Sequence, residues 1–230
     1  MILDAADIES MEQRRRAALV NSLSGFKSAN LVGTANARRA TNLAIMSSVV
    51  HLGSHPPLLA LVVRPGGEER HTLANILATG CYTINHVNSA LVEAAHQTAA
   101  RYPNEVSEFT ATGLTPRWRD GFDAPAVEEA HVRMGLRLRE HQELSINATH
   151  LVIGEVVFVE LPDNSLRSDG LLDIAAADTV ALAGLDSYYR TQPHKRMAYA
   201  KPDLPPREVS AQGELPAQPA RGAPSVLGSS

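Results

Sequence analysis

The stretch "HVRMGLRLRE", residues 131–140, is where the fold is decided, because it is the clearest period-two segment of the chain. Val132, Met134, Leu136 and Leu138 point one way along an extended backbone, while Arg133, Arg137 and Arg139 point the other, so one face of this strand is wet. Downstream, "THLVIGEVVFVELP" (149–162) reads as a longer and more buried strand. Upstream, "NLVGTA" (30–35), "NLAIMSSVVHLG" (42–53), "PLLALVVRP" (57–65) and "CYTINHV" (81–87) are rich in branched residues and bounded by Gly, Pro or Asn. Helical spacing interrupts them at "HTLANILATG" (71–80), with Gly80 placed to end the helix, and again at "SALVEAAHQTAA" (89–100). Residues 4–24 form an N-terminal surface helix, with Asp4 or Ser10 as its cap and Gly25 as its stop. Residues 101–130, broken by Pro103, Pro116 and Pro125, read as a long packed excursion with one helical turn near 105–109. About six strands, two or three helices and no regular βαβ alternation predict an antiparallel barrel with helical decoration.

Composition sets the bounds. The 230 residues support one sizeable domain, and 44% hydrophobic with 20% charged residues is globular. No apolar run reaches the ~20 residues that cross a bilayer, which points to a soluble chain. The amino-terminal residues lack the basic-then-apolar order of a secretory signal, so a cytoplasmic location is expected. Cys81, the single cysteine, excludes an internal disulfide and multi-cysteine metal sites, and its apolar neighbours make it a small buried hydrophobe. A net charge of −4 recruits neither nucleic acid nor anionic lipid. Dinucleotide, P-loop and nucleophile-elbow fingerprints are missing from the sequence. His51 and His55 have the spacing of a helical metal pair, but Gly53, Pro56 and Pro57 deny that stretch a helix, so no metal site is expected.

One segment poses a chemical question. In "VVRPGGEERHTLANI" (62–76) an apolar strand ends at Arg64, crosses a Gly-rich turn, and sets Arg70, His71 and Thr72 at a helix start. A guanidinium, free N–H groups at a helix N-terminus and a hydroxyl suit a phosphate dianion. Equally, Thr72 serves as an ordinary N-cap and Arg70 as a solvated partner of Glu68 and Glu69. Upstream, Ser47 and Ser48 lie inside an otherwise apolar strand, either as satisfied core serines or as part of a ledge offering small polar groups to a flat ring. A ring next to an anion grip, without a dinucleotide fingerprint, suggests FMN.

The run from "SSVVHLGSHPPLLALVVRPGGEERHTLANILATGCYTINHV" (47–87) resembles the core of the flavin reductase-like proteins of the FMN-binding split-barrel fold. The resemblance continues through "AHQTAARYPNEVSEFTATGLTP", "APAVEEA", "VIGEVVFVELPDN", "DGLLDI" and "VALAGLDSYYRT" to "YAKPD". It implies a six-stranded antiparallel Greek-key split barrel over residues 28–203, flanked by an N-terminal helical extension (1–27) and a Pro-rich, largely disordered tail (204–230). It further implies a homodimer with one FMN per subunit. The backbone of Ala44 to Val50, including Val49, would meet the flavin ring with Asn42 nearby. Ser47 or Ser48, with Arg64, Arg70, His71 and Thr72, would hold ribityl and phosphate oxygens. Asn85, His86 and Gln97 either line the same pocket or are polar groups satisfied within the dimer. Asp186, Tyr188 and Tyr189 in "GLDSYY" either wall the substrate face or pack in the core. The implied activity is an FMN-dependent NAD(P)H oxidoreductase, with reduced nicotinamide as a visiting substrate and free flavin, oxygen or a partner oxygenase as acceptor. The alternative is a non-enzymatic FMN-binding electron carrier or partner subunit.

Overall fold

The structure, a computed structural model, describes residues 1–66, 71–103 and 105–215. Its centre is a seven-stranded antiparallel sheet. In chain order these strands are β2 (Asn30–Ala35), β3 (Thr41–Met46), β4 (Val49–Ser54), β5 (Pro57–Val63), β6 (Cys81–His86), β9 (Arg133–Leu144) and β10 (Thr149–Glu160). In space they run β3-β2-β6-β9-β10-β5-β4. The two edge strands, β3 and β4, are therefore consecutive in the chain and separated only by Ser47 and Ser48. A link that short forces the sheet to curl until its edges meet, which closes the barrel. The Val62 amide donates to the Ser48 carbonyl at 2.9 Å and carries the β4–β5 ladder up to that crossing. The expected barrel is thus present, with the single strand read over 42–53 bent into two, so the sheet has seven strands where six were expected.

The period-two segment behaves as its pattern requires. Val132 and Leu136 are fully buried, Met134 and Leu138 pack against the barrel interior, and Arg137 and Arg139 face solvent. That interior holds Val32, Leu61, Val63, Ile76, Tyr82, Ile84, Leu136 and Val152. β2 is buried on both faces, since Leu31 and Ala29 belong to a second cluster with Leu43, Val87, Phe109, Val180 and Leu182. The helices α4 (Val92–Gln97) and α5 (Glu108–Thr112) and the hairpin β11 (Val180–Ala183) with β12 (Ser187–Arg190) surround this second core. β1 (Lys27–Ser28) extends the hairpin. Cys81 lies in a small third cluster with Phe122 and Ala124, and burial pushes its thiol pKa up.

Three elements depart from the sequence reading. The N-terminal helix is two helices, α1 (Ala5–Ser10) and α2 (Gln13–Ser22). Asp4 and Asp7 form a reciprocal capping box on the first, and Glu12 accepts from the Arg15 amide at 3.0 Å to start the second. A side chain that caps a helix start is a stop for the helix before it. The helical turn expected near 105–109 is α5, three residues later. The excursion over 101–130 contains a hairpin, β7 (Pro116–Arg119) and β8 (Phe122–Val127), turning at Gly121 with φ +74°. Pro116 starts one of these strands, a position where a missing N–H costs little. The hairpin is bolted to β2 and β6: the Thr83 hydroxyl donates to the Pro125 carbonyl at 2.7 Å, and a Cβ on Gly33 would stand 2.1 Å from that same oxygen. α3 (His71–Thr79) ends at Gly80 with φ +69°, as expected. Residues 196–215 fold back on the 167–173 segment, where Arg167 donates to the Ala211 carbonyl and Arg196 bonds Asp169. Among the described residues no helix is long and apolar enough to cross a membrane.

Candidate functional site

The crossing between β3 and β4 organises the site. The outward edge of β3 is capped by side chains: the Leu43 amide donates to Glu108 Oε2 at 3.0 Å and the Ile45 amide to Thr98 Oγ1 at 2.9 Å. Alternation in an antiparallel ladder then turns Asn42, Ala44 and Met46 toward β2, in register with Thr34, Val32 and Asn30. Beyond Ile45 this capping stops. Ser47 and Ser48 are half-buried, and their hydroxyls have no hydrogen bond among the described residues.

At the near end of β3 lies a buried polar knot. Asn42 donates through Nδ2 to Thr34 Oγ1 at 3.1 Å and to Thr72 Oγ1 at 2.9 Å, and Asn75 Nδ2 reaches Thr34 Oγ1 at 3.2 Å. Asn42, Thr72 and Asn75 are each under a tenth exposed. Because Thr72 accepts from Asn42, its own hydroxyl proton remains to be given to another group, at the first turn of α3 beside the half-buried His71. Arg70 lies outside the described residues.

At the far end two cations meet. Arg64 follows β5 and hydrogen-bonds the Asn21 side chain of α2. Lys27 Nζ donates to the Asn21 carbonyl at 3.1 Å and to the Gly184 carbonyl at 2.9 Å. Burial, and secondarily the charge of Arg64, pulls the Lys27 pKa down. Tyr188 packs with Ile45 on the second core cluster and hydrogen-bonds His96 at 3.1 Å, while Tyr189 meets Phe26 edge-on at 4.9 Å. From Asn42 to Ser47 the strand advances roughly 16 Å at ~3.3 Å per residue. The result is a ledge along β3 with a hydroxyl and a helix start at one end and Ser47, Ser48 and a guanidinium at the other, while the Leu43 and Ile45 amides between them are already engaged. Hydroxyls, a helix start and a guanidinium are the kinds of partner that the polyol and phosphate of a flavin need.

Several expected residues lie elsewhere. Asn85 is wholly engaged inside the fold: Nδ2 donates to the Leu31 carbonyl at 2.9 Å and to Thr83 Oγ1 at 3.0 Å, and Oδ1 accepts from the Val127 amide at 3.0 Å. His86 pairs with Thr179 Oγ1 at 3.1 Å, and burial holds its ring neutral down to about pH 4. Gln97 is exposed and bonds the Tyr102 hydroxyl, Asp186 is exposed beside Ser187, and Val50 is 53% exposed on the edge strand. Val49 packs on the barrel interior. Thr34, Asn75, Lys27, Thr98 and Glu108 were not anticipated. Of these only Asn75 carried a local signal, standing three residues after Thr72 on the same helix face.

Comparison with known proteins identifies the family and the fold. The Flavin reductase like domain matches residues 23–178. A solved structure of a candidate flavin reductase with split barrel domain from Shewanella frigidimarina NCIMB 400 is 51% identical and superposes with a TM-score of 0.84 over 87% of this chain and 100% of that one. The uncharacterized protein YwrF of Bacillus subtilis (strain 168) is 31% identical over 137 residues, 57% of this chain and 67% of that protein. Nitrilotriacetate monooxygenase component B from Bacillus cereus, 21% identical with a TM-score of 0.75 over 85% of this chain and 98% of that one, shares the fold. With a curled antiparallel sheet whose edges meet at Ser47 and Ser48, and with its domain match covering all of that sheet, the chain belongs to the flavin reductase-like family of split-barrel proteins.

Proposed function

We propose that this protein is an FMN-dependent NAD(P)H oxidoreductase of the flavin reductase type, with residues 28–203 as its flavin-binding unit and two copies forming the working dimer. The observation that supports it most is the β3–β4 ledge, whose two polar ends, Thr72 with the start of α3 and Ser47, Ser48 with Arg64, offer partners of the kind a flavin mononucleotide needs, in a member of this family. When bound, FMN supplies the redox chemistry, accepting a hydride from a reduced nicotinamide and releasing the electrons to an acceptor. The chain's own part is to hold and shield. Thr72 and the start of α3, with His71 and Arg70 at their boundary, take one charged end. Ser47 and Ser48 offer hydroxyls to the polyol, and Arg64 adds positive charge at the far end of the ledge. Tyr188 and Ile45, both packed on the second core cluster, would help to exclude water. A partner oxygenase is a natural acceptor, given the likeness in fold to a monooxygenase component B.

The test is direct. The purified chain is titrated with FMN and with FAD by fluorescence quenching, then mixed with NADH or NADPH, with and without added free flavin. Tight FMN binding and nicotinamide oxidation support the proposal. Bound flavin without oxidation of either nicotinamide leaves an electron carrier, and failure to bind either flavin removes the cofactor altogether.

A further inference from the structure

We propose that His141, His150 and Glu143 form a binding site for a divalent transition-metal ion of the zinc, nickel or copper class. In the β9–β10 ladder Glu143 stands directly opposite His150, and His141 lies two residues before Glu143, so all three side chains point to one face. Val152, opposite His141, and Val63, opposite His150 on β5, share that face and are buried in the barrel interior. The three groups therefore sit at the open end of the barrel, between its apolar filling and water. His141 Nε2 and His150 Nδ1 are 3.1 Å apart, with their rings stacked at 5.2 Å. Two metal–imidazole bonds of about 2.0–2.1 Å meeting near the tetrahedral angle put their nitrogens roughly 3.3–3.4 Å apart, so the pair is nearly set for one ion.

Glu143 supplies the third donor. Its Oε2 is 4.0 Å from His150 Nδ1, and among the described residues this is its only ion-pair contact. A divalent cation would pair with that carboxylate and replace the hydrogen bond the two rings now make to each other. As the side chains stand, no three His, Cys, Asp or Glu among the described residues form a group that could hold a metal ion, so the 58% exposed Glu143 is required to turn in. Water completes the coordination, and imidazole ligands select a transition ion over magnesium or calcium.

The experiment uses the full, untagged, flavin-loaded chain stripped with chelator and titrated with zinc chloride in a calorimeter. One zinc per chain is expected, with binding lost in His141→Gln and in His150→Gln and weakened at least tenfold in Glu143→Gln. Zinc should also protect His141 and His150 of the wild-type protein from diethyl pyrocarbonate, read by peptide mass spectrometry, which needs no variant to fold. Zinc binding retained by the His141→Gln/His150→Gln double variant, or no protection of the two rings, overturns the proposal.

Discussion

Thr72→Val separates the structural role of the polar knot from its role toward the flavin. Valine keeps the shape of threonine and removes the oxygen that accepts from Asn42 Nδ2 at 2.9 Å. Asn42 keeps its bond to Thr34 at 3.1 Å, so one of its two amide protons is left unpaired in a side chain only 6% exposed. Leaving a buried donor unsatisfied costs about 1–3 kcal/mol. For a chain of this length that lowers the melting temperature by roughly 2–12 °C, at ~2–4 °C per kcal/mol. Thr72→Ser retains the hydroxyl and should melt close to wild type. If the remaining hydroxyl proton also serves the flavin phosphate, a charge-assisted bond of about 1.5–3 kcal/mol is lost, weakening FMN roughly 10- to 150-fold. Thermal melts of flavin-free protein measure the first effect, and FMN titrations by fluorescence quenching, below the melting range, measure the second. A Thr72→Val protein with the wild-type melting temperature refutes the energetic reading of the knot. A lowered melting temperature with unchanged FMN affinity confines Thr72 to the fold and removes it from the phosphate grip.

Gly33→Ala should destabilise by about 3 kcal/mol, the upper end of ordinary overpacking, because its Cβ meets the Pro125 carbonyl at 2.1 Å and Thr83 Oγ1 at 2.6 Å; an unshifted urea midpoint would show that β8 yields freely. Tyr82→Phe should stabilise by about 1 kcal/mol or more, since the Tyr82 hydroxyl is buried without a partner among the described residues, and a less stable phenylalanine variant contradicts this. His86 makes stability depend on pH. Burial depresses its folded-state pKa to about 4 from 6.5, so below pH 6.5 the unfolded chain takes up a proton that the folded one refuses. Stability is lost as pH falls from 6.5 toward 4, by up to about 3 kcal/mol, and levels off below. His86→Gln should flatten that slope in urea unfolding curves, and parallel curves for the two proteins would rule the histidine out.

Local pattern alone located α3 and the strands of the barrel, apart from the break at Ser47 and Ser48. Alternation over 131–140 placed Val132 and Leu136 inward, and Gly80 ended α3, because these outcomes depend on neighbours within a few residues along the chain. The resemblance across 47–87 added the family and directed attention to Asn42 and Thr72, which the fold does join. What stayed hidden depends on long-range partners. Ser47 and Ser48 read as the middle of one strand, yet the backbone bends there because β3 and β4 pair with β2 and β5 at opposite edges of a sheet that must close. Asn85 looks like a pocket residue in the sequence, and only the docking of β8 shows its amide engaged by Leu31, Thr83 and Val127. The capping of β3 by Thr98 and Glu108, and the meeting of His141 with His150, likewise come from elements brought together by packing. A side chain's chemistry is written in the sequence, but whether it is spent inside the fold or left for a ligand is settled only when its hydrogen-bond partners arrive.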